Sequence, residues 1–195
     1  MNTKLSLFFL VIFFSIINTG FAQGFMAVAN VTKLSGTAFG NREALKVGSE
    51  ITEGMEIYLP KKADYLDVKF QNGHLFRLVG AQVKVVKLNP KNTVFEILKG
   101  KIYSNIKPLT QNETFNFKTK LAYLSAGVSQ FLIDEDKKQS YLYVSEGAVS
   151  VVVGKNSVKA IKDEDVLIAP GRDLKASLAT KAMSAQTKEI INQLK

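Results

Sequence analysis

The stretch Tyr65-Leu-Asp-Val-Lys-Phe-Gln-Asn-Gly-His-Leu-Phe-Arg-Leu-Val79 decides the fold class of this chain. On either side of Gln71-Asn72-Gly73 the residues alternate between apolar and polar, which places every second side chain on the same face of an extended strand. An Asn-Gly pair between two such runs predicts a β-hairpin with a type I′ turn, in which Asn72 and Gly73 both take positive φ angles. The stretch therefore predicts two antiparallel strands.

The same period of two continues from about Val28 to Ala169. Turn residues such as Lys99-Gly100 and Glu146-Gly147 divide this region into short segments. Many short strands with regular turn signals predict an all-β fold, an antiparallel sandwich or roll of about a dozen short strands, in one domain over residues 23–170. The other predicted strands are Glu56–Leu59, Val83–Leu88, Val94–Leu98, Lys101–Ile106, Thr114–Lys118, Val128–Ile133, Tyr141–Ser145, Ala148–Val153, Val158–Ile161 and Val166–Ala169.

The C-terminal tail, residues 171–195, follows a different pattern. Its segment 181–195 contains no glycine or proline, and its apolar residues recur with the period of a helix. We expect an amphipathic helix that packs on the sheet, binds a partner, or frays at the chain end. The predicted apolar face consists of Met183, Thr187, Ile190, Ile191 and Leu194.

The first 22 residues have the features of a secretory signal peptide. Lys4 provides a positive head, Leu5–Ile17 is an apolar run interrupted by two serines, and small residues precede a cleavage point between Ala22 and Gln23. The alternative is an uncleaved anchor, but the run is shorter than the ~20 apolar residues that a membrane span needs. We therefore expect an exported protein, in the periplasm or at the cell surface of a bacterium, with no membrane span after signal removal.

The composition of the chain excludes several kinds of chemistry. The 195 residues include no cysteine, no tryptophan and one histidine. Disulfides, thiolate metal sites and cysteine nucleophiles are therefore absent, and neither a histidine metal site nor a Ser-His-Asp triad is expected. No cofactor is predicted. The domain must rely on its core for stability.

The positive charge of the chain, formally +9, comes almost entirely from lysine, since Arg42, Arg77 and Arg172 are its three arginines. Nucleic-acid and phosphate sites favour arginine, whose planar guanidinium binds with two hydrogen bonds. Lysines here alternate with apolar residues, as on a solvated sheet face, where they also protect edge strands from pairing. No nucleic-acid partner is expected, whereas an anionic envelope polymer is compatible with this charge.

Three groups of titratable residues are candidates for a site. His74, next to the predicted turn, is expected to be solvated or hydrogen-bonded, because a metal would need further ligands. Asp134-Glu135-Asp136 and Asp163-Glu164-Asp165 lack the ligand spacing of a calcium loop and are predicted to be polar turns. Two carboxylates that meet only in space remain an alternative, and they would make the protein a carbohydrate-active enzyme.

The hairpins and glycines of residues 31–153 follow one another in a specific order. Its elements are the opening strand Val31–Gly36, a ladder of Leu45, Gly48, Ile51, Gly54 and Ile57, the hairpin Phe70–Leu78 with Asn72 and Gly73, Ile97–Ile102 with Gly100, Phe115–Thr119, Ala126-Gly127-Val128-Ser129-Gln130-Phe131, and Val144–Val149 with Glu146 and Gly147. In this order the chain resembles the FecR domain, a periplasmic sensor module. It departs from the family where Ser129-Gln130 replaces an Arg-Gly-Thr turn.

This resemblance implies a non-enzymatic binding or sensor domain. Regulators of the family carry a cytoplasmic sigma-factor-binding segment ahead of a membrane helix, but here only four residues precede the apolar run. We therefore expect a stand-alone exported FecR-like protein that binds a protein or an anionic envelope polymer. Binding by strand addition at a sheet edge and binding through the C-terminal helix both remain open. A structural envelope protein tethered by its basic surface is the other alternative.

Overall fold

The computed structural model describes residues 28–89, 91–109 and 113–194. The predicted signal peptide and its cleavage point at Ala22 and Gln23 lie outside these residues. The described chain is an all-β protein with one C-terminal helix, as predicted. Its elements are β1 (Ala29–Ser35), β2 (Phe39–Gly40), β3 (Glu43–Ala44), β4 (Glu50–Ile51), β5 (Glu56–Tyr58), β6 (Tyr65–Phe70), β7 (Leu75–Asn89), β8 (Asn92–Ile106), β9 (Thr114–Lys118), β10 (Tyr123–Glu135), β11 (Ser140–Val153), β12 (Asn156–Ile161), β13 (Glu164–Ile168), β14 (Ala176–Leu178) and α1 (Lys181–Asn192).

The strands form a single sheet that folds over on itself into two layers. Layer A contains, in order, β1, β6, the first half of β7, the second halves of β8 and β10, the first half of β11, β13 and β14. Layer B contains β3, β2, β5, the second half of β7, the first half of β8, β9, the first half of β10, the second half of β11 and β12. The four long strands β7, β8, β10 and β11 thus belong to both layers.

Each pair of long strands passes between the layers at a crease built on glycine. At the first crease, between β7 and β8, a Cβ on Gly100 would lie 2.5 Å from Cα of Ala81, and Gly100 has a φ of +87°. At the second crease, between β10 and β11, a Cβ on Gly147 would overlap the carbonyl oxygen of Val128. The pairing register shifts at both places, as expected for β-bulges.

The prediction that Lys99-Gly100 and Glu146-Gly147 are turns between separate strands is therefore wrong. Both pairs lie inside strands, β8 and β11, which have 15 and 14 residues. A glycine within an alternating run marks either a turn or a bulge, and the close approach of the neighbouring backbone selects the bulge here.

Strand β9 closes the roll between the two pairs of long strands. In layer A, Gly100 pairs with Glu135 and Ile106 pairs with Ser129, so the two creases lie at opposite ends of this layer. The first half of β8 and the first half of β10 fold over the core from these opposite ends. β9 fills the space between them, antiparallel to β10 and parallel to β8. Among the described strands, β8 and β9 form the parallel pair, and the sheet is therefore mixed.

Phenylalanine rings from the two layers meet in the core. Centroids of rings on opposite layers are 5.3–6.2 Å apart, and their planes are steeply inclined, the arrangement that the ring quadrupole favours. These contacts hold layer A on layer B. The rings are Phe70, Phe76 and Phe131 in layer A and Phe95, Phe115 and Phe117 in layer B.

The hairpin of β6 and β7 forms as predicted, but its turn has a different type. The N–H of Gly73 donates to the carbonyl of Phe70 at 3.0 Å, and that of Phe70 donates to the carbonyl of His74 at 2.9 Å. Gly73 has a φ of +87°, whereas Asn72 does not have a positive φ. The expected type I′ turn is therefore wrong. A three-residue loop with glycine in the left-handed position replaces it.

Helix α1 packs on the outer face of layer A, away from the core. Ile191 and Leu194 are buried against Tyr103 and Leu132, and Met183 and Ile190 lie at the edge of this contact. The predicted apolar face is the face that makes the contact. The Nζ of Lys188 also binds Asp163 Oδ1 at 2.7 Å, in the turn between β12 and β13.

Candidate functional site

A groove of about 780 Å³ lies on the outer face of layer B beside the first crease. Its floor is a row of side chains that the sheet register brings side by side: Phe39 pairs with Tyr58, Tyr58 with Gln82, and Gln82 with Lys99. Their neighbours Ile57, Ala81 and Val83 point into the core and are fully buried. The row therefore crosses four strands on the outer face.

A second row borders the floor and consists of Asn41, Arg42 and Glu56. Asn41 Oδ1 accepts the backbone N–H of Glu56 at 2.9 Å, and the N–H of Asn41 donates to the carbonyl of Glu56 at 3.0 Å. Both bonds fix the β2–β3 hairpin on β5. The groove wall therefore has a defined position relative to its floor.

The turn that carries Arg42 is strained. Asn41 and Arg42 have φ angles of +50° and +75°, the positive values that both central residues of a type I′ turn require. Asparagine tolerates this conformation, but a long side chain at the second position costs about 1–2 kcal/mol relative to glycine. Non-glycine residues held in this region concentrate at functional sites.

Charge in the groove is unevenly distributed. The Nζ of Lys99 lies 4.9 Å from the ring centroid of Tyr58, and Gln82 Nε2 donates to Glu56 Oε1 at 2.5 Å. The Glu56 carboxylate is thus partly satisfied, whereas Arg42 projects from an exposed turn. Among the described lining residues there are two cations and one carboxylate.

A smaller pocket of about 170 Å³ lies at the second crease, where several residues of the FecR resemblance meet. The side chain of Val128 is 54% exposed, and Ser129, part of the Ser129-Gln130 pair at which the chain departs from the FecR resemblance, is buried with its Oγ donating to the carbonyl of Gly127 at 2.9 Å. Glu146 completes this pocket. The departure from the FecR resemblance therefore falls on a concave surface.

The other residues that carry the FecR resemblance are distributed over the fold. Gly48 and Gly54 lie in exposed turns with open space around them, Gly100 and Gly147 form the creases, and Phe131 is in the core. Ala126 is buried on β10 just before the bulge at Gly127 and Val128. The structure brings together only those positions that lie near the second crease.

His74 is buried, not solvated, and is fully hydrogen-bonded. Its Nδ1 accepts the N–H of Lys107 at 3.0 Å, so a neutral ring carries its proton on Nε2, which lies 3.0 Å from Glu113 Oε1. Asn72 Nδ2 donates to the same carboxylate oxygen. His74 therefore attaches the β6–β7 turn to the segment that leads into β9. No group of three or more potential metal ligands occurs in residues 28–89, 91–109 and 113–194.

The predicted acidic turn at residues 134–136 is only partly a turn. Asp134 and Glu135 belong to β10, and Glu135 is 2% exposed. It accepts hydrogen bonds from Ser140 Oγ and from the backbone N–H of Lys120. Burial of its carboxylate nevertheless raises the pKa of Glu135. This acid lies under the β10–β11 hairpin and does not line the groove.

We expect Glu135→Gln to change how stability depends on pH. Because the pKa of Glu135 is raised in the folded protein, the wild type loses unfolding free energy as the pH rises from the usual glutamate range through this pKa. The amide keeps an acceptor for Ser140 and has no such dependence. Urea unfolding at a series of pH values should show the variant gaining on the wild type towards neutral pH.

Asp136→Asn provides the control for this pH series. Hydrogen bonds from the N–H groups of Lys138 and Gln139 lower the pKa of Asp136, so its contribution to stability is lost as the pH falls. The two neighbouring variants should therefore diverge from the wild type at opposite ends of the series. Parallel curves for Glu135→Gln and wild type would contradict the assignment.

Solved structures that share this fold include two crystal structures described as those of "a putative anti-sigma factor from Parabacteroides distasonis ATCC 8503". The first, at 2.50 Å, has a TM-score of 0.53 and 13% identity over 60% of this chain and 57% of that chain. The second, at 1.65 Å, has a TM-score of 0.56 and 14% identity over 67% and 64%. The chain thus matches about three fifths of the length of each. At these identities the similarity establishes the fold alone.

No protein-family model matches the sequence, and no curated protein matches it either. Helix α1, the helix in the described part of the chain, lacks the length and hydrophobicity that crossing a membrane requires.

Proposed function

We propose that this protein is an exported FecR-like domain that acts by binding a protein or an envelope polymer and catalyses no reaction. The observation that carries the proposal is the fold shared with the two crystal structures described as those of "a putative anti-sigma factor", which supports the independent resemblance of residues 31–153 to the FecR domain. Since the similarity covers only part of those proteins, their sigma-factor regulation does not transfer to this chain.

The motif glycines support the same proposal. Gly100 and Gly147 stand where the backbone of the adjacent strand leaves no room for a side chain. Two of the elements that carry the resemblance thus have a physical role in making this roll. They describe the scaffold, and the binding surface must come from the exposed residues around it.

Three surfaces are available for binding on this scaffold. The groove on layer B offers aromatic and charged side chains, and the pocket at the second crease offers Val128 and Glu146. Among the described strands, β12 pairs with β11 alone and leaves an edge for strand addition. The apolar face of α1 is occupied by layer A, so a partner of this helix would meet its polar side.

One experiment on the host bacterium tests export and binding together. The tagged protein is expressed from its full sequence, cross-linked in living cells and isolated from separated cell fractions. We expect it in the envelope or periplasmic fraction with Gln23 as its first residue, joined to one protein or polymer in constant proportion. The same isolation with Leu178, the most exposed large apolar residue in the described part of the chain, replaced by serine serves as a control for adhesive capture.

Three results would contradict the proposal, two from this experiment and one from an assay of the purified protein. Recovery of the protein from the cytoplasm with its N-terminal segment uncleaved would contradict export. Complete release by moderate salt, with no cross-linked component, would favour a structural protein held by its basic surface. Shortened polysaccharide chains after incubation with the purified protein would show an enzyme.

A further inference from the structure

We propose that the groove on the outer face of layer B binds an acidic oligosaccharide, a glycan whose sugars carry carboxylate groups. This inference rests on the proposed function and specifies one of its two partner classes. The lining residues are Phe39, Asn41, Arg42, Glu56, Tyr58, Gln82 and Lys99. The volume of about 780 Å³ lies within the range of small-ligand sites.

The floor of the groove has the form of a platform. Phe39, Tyr58, Gln82 and Lys99 stand side by side on four adjacent strands, which at the usual strand spacing extend over roughly 14 Å. Phe39 and Tyr58 place two aromatic side chains at one end, with the Nζ of Lys99 at 4.9 Å from the Tyr58 ring centroid, and the amide of Gln82 and the ammonium of Lys99 are hydrogen-bond donors. A row of this length accommodates more than one sugar ring.

Recognition here must come from side chains. β2, β5, β7 and β8 use their backbone N–H and C=O groups to pair with each other across the platform. An extended peptide that binds by strand addition needs a free edge, which this surface lacks. A ligand rich in hydroxyl groups instead matches the mixed donors and acceptors of Asn41, Gln82, Glu56 and the Tyr58 hydroxyl.

The charges favour an acidic ligand over a neutral one. Arg42 and Lys99 face the groove, and Lys84 stands directly opposite Glu56 in the register of β5 and β7. The single lining carboxylate, Glu56, already accepts from Gln82. A carboxylate on the ligand would therefore meet an excess of donors, and a guanidinium binds a carboxylate with two parallel hydrogen bonds.

The strained turn at Arg42 is the second, independent observation. Glycine would relieve the left-handed conformation at φ +75°, yet an arginine occupies the position and its exposed side chain borders the groove. The fold therefore gains nothing from arginine here. A ligand that needs its guanidinium explains why the strain is tolerated.

This turn also allows a clean test. Arg42→Gly removes the guanidinium without endangering the hairpin, because glycine adopts the same backbone conformation freely. Tyr58→Ala removes the aromatic ring from a side chain that is 37% exposed. The matched controls are Arg172→Gly, an exposed arginine outside the groove, and Tyr123→Ala, a tyrosine that is 41% exposed elsewhere on layer B.

Calorimetric titration of the purified protein uses three probes: an oligogalacturonate, its methyl-esterified neutral form and a polyglutamate peptide. We expect saturable binding of the oligogalacturonate, weaker binding of the ester, and roughly tenfold loss of affinity in Arg42→Gly and in Tyr58→Ala. Arg172→Gly and Tyr123→Ala should bind as the wild type does. Circular dichroism should show that all four variants are folded.

Several results would overturn the inference. These are the absence of oligogalacturonate binding, equal losses in the groove variants and their controls, or polyglutamate binding as tight as that of the glycan and independent of Tyr58. The last result would identify an acidic peptide or general attraction to negative charge. If the oligogalacturonate does not bind while the cross-linking experiment still gives a defined protein partner, the proposed binding function stands and only the assignment of the groove to an acidic glycan is wrong.

Discussion

Replacing Gly100 with alanine should lower the free energy of unfolding by about 3 kcal/mol or more. A side chain at this position adopts a left-handed backbone conformation, at about 1–2 kcal/mol, and its Cβ would sit 2.5 Å from Cα of Ala81 and 2.6 Å from the carbonyl oxygen of Gly80. Overpacking adds about 1–3 kcal/mol, and these neighbours are backbone atoms, which cannot rotate away. Urea unfolding followed by circular dichroism measures the difference.

Gly48→Ala separates conformational strain from the steric effect. Gly48 has nearly the same φ, +89°, but open space lies where its Cβ would be. This control should lose only about 1 kcal/mol. If both variants lost the same amount, the backbone conformation alone would explain the effect, and the crease would not depend on close approach of the strands.

The second large effect is expected at the ion pair of Asp67 and Arg77 beneath the C-terminal end of α1. Arg77 Nε and Nη2 donate to the two carboxylate oxygens of Asp67 at 2.7 and 2.8 Å, and both residues are buried. Asp67→Asn leaves the guanidinium without a counter-charge. We expect a loss of about 3 kcal/mol in unfolding free energy.

An exposed pair in the same cross-strand register provides the control. Asp134 and Lys101 face each other across β10 and β8, as Asp67 and Arg77 do across β6 and β7, but both of their side chains are at least one third exposed. Asp134→Asn should cost less than about 1 kcal/mol. Equal losses at the two sites would show that burial does not strengthen the inner pair.

A double variant tests the cause directly. Asp67→Asn combined with Arg77→Met removes both charges and should recover part of the stability that Asp67→Asn loses. Additive losses would contradict the uncompensated charge as the reason. Arg77 also donates to Gln193 at 3.2 Å, so part of any remaining loss would come from the end of α1.

Local patterns in the sequence were enough to predict much of the scaffold. The boundaries of β9, Thr114–Lys118, and the apolar face of α1 agree with the structure because alternation and helical period report directly which side chains are buried. The long strands could not be predicted from the same pattern. In the sequence, Gly100 has the signature of a turn. Only the close approach of the Ala81 backbone in the structure shows that it lies at a bulge within a strand.

The groove could not be predicted, because its residues are brought together only by register. Phe39 and Lys99 are distant in sequence and become neighbours of one platform through three separate strand pairings. Burial of His74 likewise depends on Glu113 and Lys107, which lie on a different segment. Among the groove residues, only Arg42 is unusual in the sequence itself, as one of three arginines among many lysines. Its positive φ angle is seen only in the structure.

The position of β9 has a consequence for how the chain folds. Its two neighbours, the first halves of β8 and β10, approach each other only after both creases have formed, since they arrive from opposite ends of layer A. β9 itself pairs with β10 across the short turn at residues 119–122, so its parallel pairing with β8 is the contact that must wait for both creases, and we expect the core to stay open to water until then. Bringing such distant segments together costs chain entropy before the new contacts compensate for it, and this makes folding slow. We therefore expect a stage in folding in which the phenylalanines of both layers are still accessible to water and to a chaperone.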